Sequence, residues 1–179
     1  MPHSFAVAYS DSSNTDATML AMEVVGVRVE MPSNQPILLL KEMEGSRFLP
    51  IWIGAVEATA IAFAQQGVTP PRPMSHDLMR EIIEKLDATV VSVEISSLMD
   101  GVFYATINLR TESGGKIAIS ARPSDAIALA LRTHSNILAS VELVEEVGIE
   151  IPESKGEGDE EVERFRAFLD EINPEDFAG

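Results

Sequence analysis

Twice along this chain, three short runs with strand patterning hand over to an alanine-rich stretch, and that repeat narrows the folds available to it. The first set opens at about Leu20 to Met31. There Val25, Val27, Val29 and Met31 alternate with Gly26, Arg28 and Glu30, which predicts a strand with one buried face. Pro32 to Pro36 reads as a turn, Ile37 to Leu40 as a central strand, and Arg47 to Ile53 as a third strand after the turn at Glu44-Gly45-Ser46. Val56 to Gln66 then predicts a helix whose alanines let it lie close to a sheet, ended by Gly67. Past the stiff loop Thr69 to Pro73, Ser75 suits the N-cap of a second helix and Asp77 its first turn. Leu78, Met79, Ile82, Ile83 and Leu86 give that helix an apolar stripe.

The second half follows the same plan. Val91, Val93 and Ile95 alternate with polar residues, Asp100-Gly101 signals a hairpin, and Phe103, Ala105, Ile107 and Leu109 alternate in turn. Ser113-Gly114-Gly115 leads into Lys116 to Ala121, and a helix is expected from Pro123 to about Arg132. A short apolar piece at Ile137 and Leu138 and a short helix near Val141 to Val147 complete the set. Laid over residues 119–130, residues 51–62 match identically at Ile51, Ala58, Ala60 and Ala62, and Glu57 falls on Asp125. The expected fold is therefore α+β, with duplicated β3-α2 units forming a mostly antiparallel sheet or half-barrel and helices packed on it. Glu57 and Asp125 are expected in equivalent places.

Outside this body, residues 1–18 form a polar stretch with neither a basic start nor a sustained apolar run, expected to be disordered. Residues 19–151 form the expected domain. Residues 152–179 read as an acidic linker and a C-terminal amphipathic helix, with Val162, Phe165, Leu169 and Ile172 on one stripe. That helix is expected to dock on its own domain or on a partner. No run of 18 or more apolar residues exists, so no membrane association is expected and the expected location is cytoplasmic.

Composition limits the chemistry. The 179 residues include no cysteine and three histidines, which excludes thiolate metal sites and histidine-rich cages. A metal would be held mainly by carboxylates, which favours Mg, Mn or Ca. The net charge of −16 is uneven: residues 142–179 carry 14 acids against three bases, and residues 1–141 carry 15 against ten. Neither part has the basic balance of a tight nucleic-acid binder.

The string Ser120-Ala121-Arg122-Pro123-Ser124-Asp125 runs from a strand end into a helix start, with Pro123 suited to the first helical position. A free helix N-terminus beside a guanidinium can take a phosphate oxygen, which makes Arg122 and Ser124 the candidate substrate contacts. Asp125 can hold a divalent ion or orient a water, and Glu57 is its counterpart in the first repeat. In that first copy Gly54 stands for Arg122 and Val56 for Ser124, so it is chemically poorer. His76, at the start of a helix, suits general acid or base work near neutral pH. The candidate catalytic residues are thus Asp125, Glu57 and His76, with Asp125 and Glu57 as candidate ligands for Mg or Mn. The same residues also suit purely structural roles: a carboxylate in the third helical position caps backbone, and Arg122 can pair with Asp125 or Glu57. Trp52 and Phe48 suit core packing better than base stacking, since aromatics make up only 6% of the chain.

The strings QPILLLKE (35–42), RFLPIWIGAVEATAIAFAQQG (47–67), SHDLM (75–79) and SARPSDAIALALR (120–132) together resemble the bifunctional nuclease domain family, with several motifs in the right order. The long PPRP loop and the acidic tail near NPEDF resemble actinobacterial members in particular. The resemblance covers about residues 20–150 and the tail. It implies an α+β fold with duplicated units, often as a homodimer, and a nuclease acting on RNA and DNA. Two functions from different classes follow: a metal-assisted phosphodiester hydrolase, or a non-catalytic dimeric binding or regulatory module acting through protein partners.

Overall fold

The computed structural model describes residues 19–151. The two residue sets expected outside that span, the lead 1–18 and the tail 152–179, lie beyond the described residues. Within it, β1 (Met19–Glu30), β2 (Gln35–Glu42) and β3 (Arg47–Trp52) precede α1 (Ala55–Gln65) and α2 (Ser75–Lys85). The second set is β4 (Ala88–Met99), β5 (Val102–Thr111), β6 (Lys116–Ala121) and α3 (Pro123–Thr133), then β7 (Asn136–Ser140), α4 (Val141–Val147) and β8 (Ile149–Glu150).

All strands join one open sheet in the order β6-β5-β4-β7-β1-β2-β3-β8, antiparallel except for the β4–β7 pair. Each repeat supplies one meander, and β7 closes the gap between β1 and β4. The two meanders therefore stand on either side of β7, with their helices on one face of the sheet, as the α+β reading expects. The sheet curls enough for α4 to touch β3, β4 and β7 together.

The core lies between that face and the helices. Leu38, Leu40, Leu49, Val93, Ile95 and Ile127 are among its fully enclosed side chains. Helix α3 is buried over nearly its whole first two turns, Pro123 to Ala130 apart from the half-buried Asp125. Alanines at 126, 128 and 130 remove the bulk that would otherwise hold it away from α1 and the sheet.

Three local features differ from the sequence reading. In β1 a bulge shifts the register between Val24 and Gly26, so the valine alternation does not mark one face. Val24 and Val27 pack on the core, whereas Val25 and Val29 are exposed. Gly26 holds φ 151° there, a conformation that a side chain would strain. In α2 the apolar stripe stays largely open: Ile83 packs on the core, but Leu78, Met79, Ile82 and Leu86 are exposed. Helix α2 also starts one residue earlier than expected, so Ser75 is its first helical residue and Met74 its cap.

Replacing Ile127, which is 0% exposed, by alanine removes buried apolar volume beneath α3. A loss of about 2–5 kcal/mol is expected from urea unfolding of the Ile127→Ala protein.

Candidate active site

Three helix starts meet at one place. Arg122 leaves β6 in extended conformation (φ −71°, ψ 144°) as the N-cap of α3, Pro123 takes the first helical position, and Asp125 is the third. Gly54 is the N-cap of α1 and Glu57 its third residue. The positions matched in sequence are thus matched in structure, and the packing of α1 on α3 sets the two carboxylates side by side. Helix α2 packs on α3 as well and brings in His76 from its own first turn.

The side chains form one connected set. Arg122 Nε donates to Asp125 Oδ2 at 2.8 Å, and Arg122 Nη2 donates to Glu57 Oε1 at 2.6 Å. His76 Nε2 lies 2.9 Å from the other Asp125 oxygen, Oδ1. The set is graded from inside to outside: the His76 side chain is 8% exposed, Glu57 16%, Asp125 23% and Arg122 65%. Solvent therefore reaches the guanidinium first. A guanidinium has five N–H donors, so after these two bonds three remain to meet an anion.

The charges are mutually supporting. Burial pushes the Asp125 carboxyl up, but its bonds to Arg122 and His76 outweigh this and hold it below the ordinary aspartate range. Glu57 is held low by the helix backbone first and by Arg122 second. The two carboxylates, Asp125 foremost, push the Arg122 guanidinium further up, so it stays a cation throughout.

All four of Glu57, His76, Arg122 and Asp125 thus converge. Ser124 sits in the same turn but is buried, 6% exposed, which leaves Arg122 as the member of that pair open to solvent. The candidate metal ligands Glu57 and Asp125 face the same guanidinium, so a divalent ion shared between them would have to displace Arg122. Among the described residues no group of three or more His, Asp or Glu has the geometry to hold a metal ion. The donor set therefore does not fit a resident metal.

Two positions carry more than their sequence suggested. Gly54 looks like a loss beside Arg122 in the repeat, yet a Cβ there would meet Glu57 Oε2, so a side chain at 54 would make the carboxylate shift from its present place. Arg132, 6% exposed, donates to Asp77 Oδ1 at 2.6 Å and to the Ala128 carbonyl at 2.8 Å. Asp77 Oδ2 also accepts the Met74 N–H at 3.0 Å. That carboxylate locks α2 against α3 and so fixes His76 one residue away. The only signal in the sequence was an acid in a first turn, which alone does not name its partner.

Comparison with known proteins places this geometry. The sequence profile of the bifunctional nuclease domain matches residues 38–152, which include every member of the site. The chain belongs to the bifunctional nuclease domain family. An uncharacterised protein of Mycobacterium tuberculosis (strain H37Rv) is 46% identical over 162 residues, covering 87% of this chain and 96% of that protein. Bifunctional nuclease 1 of Oryza sativa subsp. japonica is 24% identical over 131 residues, covering 72% of this chain and 39% of the rice protein. Bifunctional nuclease of Oryza minuta matches to the same extent. Among the described residues no helix is long and apolar enough to cross a membrane.

The lowered carboxylates make stability depend on acid. Burial raises Asp77, but the Arg132 and Met74 bonds outweigh it and leave it below its ordinary value. A depressed folded-state pKa gives stability that is present above the unfolded value and lost as pH falls through the folded one. Thermal melts should therefore be flat near neutral pH and fall from about pH 5 downward as Asp77, Asp125 and Glu57 take up protons. Asp77→Asn should melt lower at neutral pH and show a shallower acid slope.

Proposed function

We propose that this chain cleaves phosphodiester bonds in nucleic acid at the Arg122–Asp125 junction. The observation that carries the reading is the grading of the site: a guanidinium open to solvent with spare donors, braced by carboxylates, over a half-buried Asp125 bonded to an enclosed His76. Family membership and the named rice nucleases support the reaction class.

In this reading Arg122 receives a non-bridging phosphate oxygen through its unused N–H groups and offsets the charge that grows there during attack. Water adds to phosphorus, the bond to the leaving oxygen breaks, and the leaving oxygen takes a proton. The proton lost by the attacking water passes to the hydrogen-bonded Asp125–His76 pair, which returns one to the leaving oxygen. Glu57 holds Arg122 from the other side and keeps its unused donors turned outward. No step runs through a metal, because Arg122 already occupies the place between the carboxylates.

A second reading is a non-catalytic dimeric module, and a different observation favours it. Strand β6 is an open sheet edge with Ile117 and Ile119 exposed, 44% and 43%, and α2 leaves Leu78, Met79, Ile82 and Leu86 uncovered. The run Lys116-Ile117-Ala118-Ile119-Ser120 is nearly symmetric about Ala118. Antiparallel pairing with a second copy would set each isoleucine against the other, as a twofold contact requires.

One set of proteins tests both. Single- and double-stranded RNA and DNA are offered to highly purified wild type, Arg122→Lys and Asp125→Asn, with and without Mg or Mn. The nuclease reading expects the variants to lose activity by about a hundredfold or more while their melting temperatures stay within a few degrees of wild type. Equal activity in all three preparations would mark it as contamination and remove this site. Sedimentation of wild type and Ile119→Asp tests the other reading: a dimer that the substitution splits supports it, and a wild-type monomer ends it.

A further inference from the structure

The face of the sheet turned away from the helices carries an apolar cluster of its own. Ile37 and Leu39 of β2 are its buried members, with Phe48 and Trp52 of β3 and Ile151 packed against them. The register sets Ile37 opposite Trp52 and Lys41 opposite Phe48, so these side chains share one face. Among the described residues no helical residue belongs to this cluster, because α1, α2, α3 and α4 all contribute to the core on the opposite face. On β4 and β5 this outer face carries a polar group, in which Asn108 donates to Ser92 Oγ at 3.1 Å and to Glu94 Oε1 at 2.7 Å, and beyond it the exposed Tyr104 and Val102.

Side chains on a face with no second layer stay part-open, yet Ile37 is 0% exposed and Leu39 4%, values equal to those of the main core. We propose that the chain's own segment 152–179 layers this face, with Val162, Phe165, Leu169 and Ile172 seated on the cluster. The described part of the chain ends at Ile151, which is itself a member of the cluster. The ten residues 152–161 can span up to about 33 Å when extended, far more than the patch requires. Lys41 Nζ stands 5.6 Å from the centre of the Phe48 ring at the border of the patch.

Trp52 is the single tryptophan of the chain, so its fluorescence reads this patch alone. The experiment uses the full chain carrying Phe165→Asp with Leu169→Asp, beside Ala167→Asp, which lies on the opposite side of the stripe. Trp52 emission should shift to the red and become more open to acrylamide in the double variant, and should stay as in wild type in Ala167→Asp. Should the double variant lose its fold, Leu169→Ala is read in the same way. Emission and quenching unchanged by the stripe variants would overturn the proposal. A wild-type emission that shifts on dilution would overturn it too, since a second copy would then be the cover.

Discussion

The structure turns on how closely α3 lies against α1 and the sheet. A helix enclosed over two turns leaves little solvent for its first backbone N–H groups, and Ser124 and Asp125 at its start are largely withdrawn from water while Arg122 stays open. Alanines at 126, 128 and 130 make that enclosure sterically possible, and the polar residues at its start then have to find partners from neighbouring elements. They find them in Glu57 from α1 and His76 from α2. The site is in this sense the polar closure of an apolar packing problem.

That origin explains its chemistry. The carboxylates of Glu57 and Asp125 occupy the same position in two related helices, where each helix start favours negative charge. Bringing both together would set like charges against each other, and a single cation between them relieves that repulsion. Only one of the two N-cap positions supplies it: Arg122 fills the gap, and Gly54 leaves room for Glu57 to reach it. The same arrangement argues against a metal at this place, because the two functions compete for the same carboxylate oxygens.

Much of this is legible in the order of the residues. The paired run of strands and alanine-rich helix names the α+β repeat, and the match of Glu57 with Asp125 names two residues that do meet. The valines of β1 mislead because a bulge between Val24 and Gly26 changes which residues face inward, and period-two reading assumes an unbroken register. The stripe on α2 misleads because an apolar face says that a helix seeks a cover, not that its own domain provides one.

By itself the sequence determined the element types, the duplication and the residue chemistry gathered at the strand-to-helix junctions, because these depend on periodicity and on caps only a few residues long. Tertiary structure alone decided that Arg122 joins Asp125 to Glu57, that Asp77 belongs to Arg132, and that β2 is enclosed on both faces. Those outcomes join residues up to 65 positions apart, and nothing local to either partner encodes the distance at which the packed helices will place them.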